Sequence, residues 1–271
     1  MISHQIANSL CENYEGMLYL GKGWEMHLHR SFEFITVFSG NVSVTVGAEK
    51  YILSSGESLL VPPFVTHAIT AEPTALFFIA IFSGDYVEEV AGLFKSKRAD
   101  YHKFTLTDTT GEYVLSNLCP TRASLGEESL KMPTPKRFLL RSCLYAICSE
   151  YLNGATLVPN KKEDAFILDM LSYIEAHYLE DITLKDMARA LGYTHEYASR
   201  VFNRTLGISF KSLVNQYRIE YALSLMRTSS DSLVSVAMAS GFQSLRSFNR
   251  ICRDLLGSSP SEIKKGNRRE K

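Results

Sequence analysis

Short apolar runs alternate with turn residues along the first third of the chain. Phe34–Phe38, Val42–Val46 and Leu76–Phe82 are rich in β-branched and aromatic residues, and glycines such as Gly40 and Gly47 lie between the runs. Closely spaced runs of this kind predict the strands of an antiparallel sandwich or barrel. Two further strand-like segments are Tyr51–Leu53 and Ser58–Val61.

Beyond this region the apolar spacing becomes that of helices. A helix capped by Asp85 and reaching Lys95 would place Val87 and Phe94 on one face. A second helix is predicted over Arg137–Leu152, and its apolar stripe packs either on the sheet or on a second copy of the chain. The sequence does not separate these two alternatives. The stripe comprises Phe138, Arg141, Leu144, Tyr145 and Cys148.

After residue 165 the pattern is helical, and one motif occurs twice. The copies, offset by 49 residues, are Leu184-x-x-Met187-Ala188-x-x-x-Gly192-Tyr193 and Leu233-x-x-Val236-Ala237-x-x-x-Gly241-Phe242. Each predicts a short helix with a small alanine where a second helix crosses. The glycine supplies a positive φ at the turn, and the aromatic residue closes the core. The sequence therefore predicts two helix-turn-helix units.

The second helix of each unit has recognisable ends. Thr194 and Ser244 are placed to cap these helices, and Gly207 and Gly257 are placed to end them. Polar and basic side chains take the outward positions in both. These outward residues are Arg200, Asn203, Arg204, Arg246, Asn249, Arg250 and Arg253.

One helix joins the two units. The stripe along Ser209–Met226 predicts a connector of roughly 25 Å, which can hold two recognition helices about 34 Å apart, one turn of DNA. Phe202 and Phe248 are predicted to face the cores of their units. The alternative is a plain helical bundle with polar outer faces. The matched outward arginines and asparagines in two copies disfavour it.

Charge is unevenly distributed along the 271 residues. The whole chain has 29 Lys/Arg and 29 Asp/Glu, but Ile182–Lys271 has 15 Lys/Arg and 7 Asp/Glu. This segment therefore carries a net charge of +8, and the remainder carries −8. A basic segment on an acidic body indicates a polyanionic partner for that segment.

Composition narrows the class of protein further. The five cysteines form no Cys-x-x-Cys pair, which disfavours a disulfide framework or a zinc ribbon and predicts a reducing, cytoplasmic location. The sequence contains no apolar run of about 18 residues, so it predicts no membrane span. The first 20 residues have no basic region before an apolar core, so we expect no signal peptide.

The second unit carries the most specific motifs. Gly241-Phe242, Phe248-Asn249-Arg250 and Gly257-Ser258-Ser259-Pro260 stand where the AraC/XylS family of bacterial regulators has Gly-Phe, Phe-x-Arg and Gly-x-Ser-Pro. The C-terminal region therefore resembles the DNA-binding domain of that family. It departs from the pattern at Cys252, where Phe is usual, and at Ile263-Lys264, where Tyr-Arg is usual.

Carried over by position, this resemblance implies which residues meet DNA. In the first recognition helix, the residues implied to contact base edges are Glu196, Ser199 and Arg200, and Asn203 lies on the same outward side. In the second, they are Leu245, Arg246, Asn249 and Arg250. Arginine can bind guanine and asparagine can bind adenine through paired hydrogen bonds. Phosphate contacts suit Thr194, Ser244 and Ser247.

The N-terminal part contains a second pattern. Gly21-x5-His27-x-His29-x3-Glu33-x6-Gly40 follows the first cupin motif, and Gly56-x5-Pro62 with His67 follows part of the second. Phe64 replaces a glycine of that motif, and Ala71 stands where asparagine is expected. Residues two apart on a strand share a face, so His27 and His29 would point together into a barrel, near Glu33 and His67.

Three interpretations of this cluster remain open. Three histidines and a carboxylate can bind a divalent metal, which makes a metal-dependent cupin enzyme or metal sensor the alternative function. The AraC/XylS resemblance instead implies that His27, His29, Glu33 and His67 contact an organic effector without metal. Trp24, the single tryptophan, would stack on that effector or simply pack in the core. A hydrogen-bonded structural network is the third interpretation.

The resulting expectation is an α+β multidomain fold, with an N-terminal cupin-like antiparallel β-barrel and a C-terminal all-α double helix-turn-helix. We predict a sensor over residues 1–84, a helical connector and dimerisation region over 85–160, and a DNA-binding domain over 161–271. The function predicted is a non-enzymatic, effector-modulated transcriptional regulator. Its partners would be operator DNA, a small effector with sugars favoured by resemblance, RNA polymerase and a second copy, with no cofactor and no membrane.

Overall fold

A computed structural model describes residues 3–4, 14–100, 102–121, 129–206 and 208–267. The chain forms two compact units, residues 1–165 and 166–271. In the described part of the chain, no helix has the length and apolar character needed to cross a membrane.

The first unit is built mainly from strands. Their bounds are β1 Ser3–His4, β2 Tyr14–Leu20, β3 Trp24–Leu28, β4 Phe32–Ser39, β5 Val42–Val46, β6 Glu49–Leu53, β7 Glu57–Val61, β8 His67–Ala71, β9 Leu76–Phe82, β10 Lys97–Ala99, β11 Lys103–Thr105, β12 Ser129–Lys131 and β13 Leu157–Pro159. One sheet has the order β1-β3-β8-β5-β6 and a second has the order β11-β7-β4-β9-β2-β12. Strands β10 and β13 form a separate pair.

Strand β4 is central to the six-stranded sheet and is buried on both faces. Ile35 and Val37 pack with Val44 and Ile69 of the opposite sheet, in a core between the two sheets. Phe34 belongs to a second core, which lies between the outer face of the same sheet and the helices. Burial on both faces explains why the run Phe32–Val37 shows no apolar–polar alternation.

The predicted cupin-like fold is therefore confirmed, with two facing sheets around an apolar core. In the described strands no hydrogen-bond ladder joins one sheet to the other. The predicted helical C-terminal region is also confirmed.

The region predicted as a helical connector contributes to the first unit. Its helices are α1 Glu88–Phe94, α2 Asp108–Leu118 and α3 Arg137–Gly154. Its strands β11 and β12 extend the six-stranded sheet at both edges, through pairing with β7 and β2. The segment is thus part of the same compact unit as the two sheets.

Two predictions about these helices need correction. Asp85 does not cap the first helix, because the Ser83 hydroxyl caps a short 3-10 turn over Gly84–Tyr86 and α1 begins only at Glu88. In α3 the stripe is divided. Leu144 and Cys148 are fully buried in the core on the sheet, whereas Phe138 is 86% exposed.

The second unit is helical throughout its regular structure. The helices are α4 Lys162–His177, α5 Leu184–Ala190, α6 His195–Leu206, α7 Phe210–Thr228, α8 Leu233–Ala239, α9 Leu245–Leu256 and α10 Pro260–Asn267. Helices α5 and α6 form the first predicted unit, α8 and α9 form the second, and α7 joins them. The 19 residues of α7 span about 28 Å.

Candidate nucleic-acid interface and buried histidine cluster

The recognition helices α6 and α9 begin with the predicted caps. The Thr194 hydroxyl accepts a hydrogen bond from the Tyr197 amide at 3.2 Å. The Ser244 hydroxyl accepts one from the Ser247 amide at 3.1 Å. These bonds satisfy backbone donors that a helix start leaves unpaired, and they fix where each helix begins.

The turns and helix ends also follow the prediction. Gly192 has φ +75° and Gly241 has φ +80°, both in the left-handed region that favours glycine. Phe202 and Phe248 are fully buried. Helix α9 ends at Gly257 with φ +70°, while the predicted end of α6, Gly207, lies outside the described residues.

The structure places most of the predicted DNA-contacting side chains at the surface. Glu196, Arg200 and Asn203 are exposed on α6, and Arg246 and Arg250 are exposed on α9. Thr194 is also exposed. Half-buried positions are Ser199, Ser244, Leu245, Ser247 and Asn249.

On α9 the predicted residues form one continuous surface. Leu245, Arg246, Asn249 and Arg250 line it together. Two residues outside the predicted set, Arg253 and Asp254, complete the surface.

Asp254 pairs directly with one of the predicted base-contacting residues. Its Oδ2 atom lies 3.1 Å from Nη1 of Arg250, and both side chains are more than half exposed. Sequence reasoning missed this partner, although the i,i+4 spacing of opposite charges on a helix is a recognisable signal.

On α6 the corresponding arginine rests on aromatic rings. The Arg200 guanidinium lies 5.7 Å from the ring centroid of Tyr197. That ring stacks on Tyr193, with centroids 5.2 Å apart, and both tyrosines contact Phe166. The amide of Asn203 donates to the Ser199 hydroxyl at 3.3 Å. The two recognition helices thus hold their polar side chains by different means.

The four residues predicted to converge in the first unit do so. The candidate ligand atoms of His27, His29, Glu33 and His67 all lie within 4.8 Å of one another. None of the four residues is more than 1% exposed. His27 and His67 are directly paired residues of strands β3 and β8, and Glu33 comes from β4 of the other sheet. The cluster therefore sits between the two sheets.

Each imidazole is oriented by a main-chain carbonyl. The Nδ1 atoms of His27, His29 and His67 lie 2.7, 3.0 and 2.8 Å from the carbonyl oxygens of Glu25, Ser31 and Val65. A carbonyl oxygen only accepts, so each Nδ1 must carry the hydrogen. In a neutral ring the Nε2 atom then presents a lone pair, which is the form of histidine that coordinates metals.

These lone pairs meet a carboxylate. The Oε2 atom of Glu33 lies 2.8 Å from Nε2 of His29 and 3.3 Å from Nε2 of His67. Two neutral Nε2 atoms and an ionised carboxylate are all acceptors, so no hydrogen bond can form between them without an added proton. A cation or a proton at the centre would satisfy all three groups.

The pKa values of His27 and Glu33 are both lowered, for different reasons. Burial lowers the pKa of His27 to about 4, and the neighbouring His67 acts in the same direction. Burial alone would raise the pKa of Glu33, but the imidazoles of His67 and His29 that face its carboxylate hold that pKa well below its usual range. His27 is therefore neutral and Glu33 ionised near neutral pH.

Trp24 does not share the contacts of the histidine cluster. Its ring packs edge-on against Tyr19 at 4.7 Å and Phe77 at 6.5 Å, and the Lys22 ammonium lies 5.8 Å from its centroid. The described contacts thus bring together the histidines and Glu33 and place Trp24 in an aromatic group of its own.

Phe64 occupies the position where the cupin pattern has glycine. It has φ +63°, the single positive value among the described non-glycine residues. Its amide donates to the carbonyl of His29 at 2.8 Å. The left-handed turn of the motif is thus kept without the glycine, at a cost of about 1–2 kcal/mol.

Comparison with known proteins matches both parts of the chain. A helix-turn-helix domain family matches residues 187–266, and a cupin domain family matches residues 18–82. An HTH-type transcriptional regulator of Bacillus subtilis (strain 168), YisR, is 22% identical over 270 residues, with 93% of this chain and 91% of that protein covered.

A shorter match is found in Staphylococcus aureus (strain MSSA476). That HTH-type regulator is 24% identical over 126 residues, and the match spans 46% of this chain but only 16% of that protein.

Among solved structures, ToxT from Vibrio cholerae has a similar fold. One ToxT structure gives a TM-score of 0.53 at 12% identity, with 93% of this chain and 98% of that chain covered. Another, with an unsaturated fatty acid bound, also gives 0.53 at 12% identity and covers 95% of that chain.

Proposed function

Because the chain is an AraC-type helix-turn-helix transcriptional regulator with an N-terminal cupin-like domain, we propose that α6 and α9 read operator DNA. The observation that carries this proposal is the repeated unit itself. Both copies have a capped recognition helix, a buried phenylalanine and outward basic side chains, and they are joined by the single helix α7.

The proposed roles follow from side-chain chemistry. Arg246 and Arg250 bind guanine edges, Asn249 binds adenine, and Leu245 contacts a thymine methyl group. On the first helix Arg200 and Ser199 contact base edges, Glu196 accepts from cytosine, and Asn203 lies beside them. Phosphate oxygens are bound by Thr194, Ser244 and Ser247.

Selection of binding sites from a randomised duplex pool tests this assignment. Arg250→Ala should weaken binding to the selected site by about 1–3 kcal/mol and relax preference at one base pair. Lys211→Ala, an exposed lysine of α7, removes the same charge outside the recognition helices and should leave the preferred sequence intact. An Arg250→Ala variant that selects the wild-type sequence with undiminished preference would remove Arg250 from base recognition.

The first unit is proposed to bind an effector that modulates DNA binding. An effector changes the regulator only through different affinities for two arrangements of the protein. Sugars are the class favoured by the family resemblance, and the fatty acid bound by ToxT supports adding fatty acids to a thermal-shift screen. RNA polymerase and a second copy of the chain are the proposed protein partners. A cytoplasmic location is supported by three buried cysteines that form no disulfide among the described residues: Cys143, Cys148 and Cys252.

A second candidate function, metal-dependent sensing, is favoured by the geometry of the histidine cluster. Its lone pairs and carboxylate converge within 4.8 Å, whereas ligands 2.0–2.2 Å from one ion lie at most about 4.4 Å apart. A contraction of about 0.4 Å would be needed for ligands on opposite sides of the ion, and a larger one for ligands at tetrahedral angles. The cluster is also too enclosed for a sugar to reach in this conformation, since His27, His29, Glu33 and His67 are at most 1% exposed.

The residues therefore fit a divalent transition metal. His27, His29 and His67 would donate Nε2 and Glu33 a carboxylate oxygen, and such an ion can act as a Lewis acid when bound. We propose that here the ion stabilises the sensor and that the chain is not an enzyme. Turnover of a substrate that disappears in His29→Ala, with DNA affinity unchanged, would contradict the non-enzymatic part.

Metal content of the full chain, purified without a His tag or chelators, tests the site. About one equivalent of a transition metal per chain is expected, with loss in His27→Ala and in His67→Ala. His102→Ala is the matched control, because His102 lies outside the cluster, and it should retain the metal. Wild-type protein without metal, even after incubation with Zn²⁺, Fe²⁺ or Mn²⁺ salts, would rule out the metal site and leave DNA binding untouched.

A further inference from the structure

A cavity of about 690 Å³ lies on the outer face of the six-stranded sheet, away from the histidine cluster. It is bounded by strands β4, β7 and β9 and by the start of helix α2. Hydroxyl side chains, apolar side chains and two carboxylates line it. The hydroxyl-bearing residues are Thr36, Ser39, Ser55, Ser58 and Thr107.

Two of these hydroxyls are buried where apolar residues are expected. Thr36 and Ser58 are directly paired across β4 and β7, and their exposed fractions are 3% and 0%. On the same face the next positions along each strand, Phe34 and Leu60, belong to the apolar core. A polar pair in this place costs free energy unless its hydrogen-bonding capacity is used.

The pair does not use that capacity within the described structure. Ser58 Oγ donates to Thr36 Oγ1 at 3.0 Å, which occupies one of the two hydroxyl hydrogens. Neither hydroxyl has another hydrogen bond among the described residues. One donor is therefore left at the enclosed end of the cavity, where an oxygen acceptor on a ligand would satisfy it.

The charged side chains among the described lining residues of the cavity are all acidic. Asp108 and Glu112 are exposed at its α2 side, one turn apart on the helix, and no Lys, Arg or His is among its described lining residues. Both carboxylates thus face a ligand without a lining cation to neutralise them. An anion would be repelled, whereas an ammonium group would form charge-assisted hydrogen bonds.

An apolar wall connects the two polar ends. Phe38, Leu76, Leu106 and Leu115 line the cavity and are partly exposed. A ligand that spans the cavity would bury these side chains as well as its own apolar body.

We infer that this cavity binds a small organic ammonium compound that carries an oxygen acceptor on an apolar body. The ammonium group is held by Asp108 and Glu112, and the oxygen accepts from the Thr36 hydroxyl, whose hydrogen the bond from Ser58 leaves unused. Describing this ligand as an effector depends on the proposed function, but its binding does not.

The cavity is also linked to helix α3. Thr107, which lines the cavity, donates from its hydroxyl to Glu150 Oε1 at 2.6 Å. Glu150 lies in the last part of α3, after which the chain continues through β13 to α4. Thr107 therefore links the lining of the cavity to helix α3 through one hydrogen bond.

Three phenols with one scaffold test the inference on the full-length chain. Tyramine carries an ammonium group, 4-ethylphenol is neutral and 4-hydroxyphenylacetate carries a carboxylate. Saturation-transfer NMR should show tyramine binding, with 4-ethylphenol at least about tenfold weaker and 4-hydroxyphenylacetate unbound. No binding of tyramine, or equal binding of all three, would overturn the inference.

Substitutions in the cavity then identify the residues that contact tyramine. Thr36→Val and the double variant Asp108→Asn/Glu112→Gln should each weaken tyramine binding, whereas Glu88→Gln, an exposed acid of α1 outside the cavity, should not. Thr36→Ala, which also removes the hydroxyl, replaces Thr36→Val if that variant misfolds by circular dichroism. Unchanged binding in the charge variant would overturn the site. Duplex binding, measured separately without tyramine, shows whether the regulator proposal stands independently.

Discussion

The carbonyl oxygen of Leu179 lies 2.9 Å from the point that a Cβ atom on Gly241 would occupy. Nη and Nε donors of Arg218 bind the adjacent carbonyls of Glu180 and Tyr178, which fixes this segment against the second turn. Gly192 has the same place in the first copy of the motif, but among the described residues no non-neighbouring heavy atom lies within 4 Å of its added Cβ. The two glycines thus share a conformation and differ in packing.

Replacing each glycine with alanine should separate these two effects. Gly192→Ala is expected to cost about 1–2 kcal/mol, the price of a left-handed residue with a side chain. Gly241→Ala should cost more, because the Leu179 backbone must also move. Urea unfolding followed by circular dichroism measures both free energies of unfolding. Equal losses of unfolding free energy in the two variants would show that the close approach to Leu179 adds nothing to the cost of Gly241→Ala.

Asp254 is expected to limit binding of unrelated DNA. Its carboxylate pairs with Arg250 and lies on the α9 surface proposed to contact DNA, where a negative charge near the polyanion is unfavourable. Asp254→Asn should strengthen binding to a random duplex and reduce the ratio of specific to non-specific affinity. Asp231→Asn, an acid outside that surface, is the control. Fluorescence anisotropy at several salt concentrations measures the ratio, and an unchanged value would show that Asp254 has no such effect.

Phe138 is the α3 residue to test for dimerisation. Because it is 86% exposed, Phe138→Glu should leave the fold intact while converting a dimer to monomers in sedimentation. Leu144→Glu is unsuitable for this purpose, because Leu144 is fully buried and a charge there would destabilise the core. A wild-type dimer that persists in Phe138→Glu would place the dimer interface elsewhere.

Acid should destabilise the first unit through His102. Its Nδ1 atom lies 3.1 Å from the carbonyl of Leu60, and burial lowers its pKa below the usual 6.5. The unfolded chain therefore takes up the proton first as pH falls, so this contribution is complete above about pH 6.5 and is lost below it. His102→Gln should show a shallower loss of stability between about pH 6.5 and 5. Thermal melts of the wild type and the variant at the same pH values measure this difference. Parallel curves of stability against pH would contradict the role assigned to His102.

The regular parts of the fold could be predicted where periodicity was strong. Long strands such as β9 and the repeated helical motif carry enough apolar positions to identify their type. Strands β10 to β13 were missed because each has three residues, and Lys97–Ala99 and Ser129–Lys131 include exposed charged side chains without alternation. Pairing with neighbouring strands, rather than local preference, forms them.

The histidine cluster and the cavity were likewise predictable only in part. The convergence of His27, His29, Glu33 and His67 could be predicted from their spacing, because strand geometry and the motif fix the faces on which these residues lie. The ring orientation was not predictable, since it depends on main-chain carbonyls, one in strand β3 and two in loops. The cavity beside α2 was not predictable either. It arises from the placement of Leu106 and Asp108 opposite β4 and β7, which no local pattern encodes.

The three carbonyls that hold the imidazoles have an evolutionary consequence. Every residue type supplies a main-chain oxygen, so Glu25, Ser31 and Val65 can each be exchanged without removing the hydrogen bond that orients His27, His29 or His67. Phe64 already shows that a neighbouring position tolerates exchange while its backbone contact to His29 persists. The cluster is thus robust to sequence drift around it. Loss of a histidine or Glu33, by contrast, would remove a member of the cluster itself.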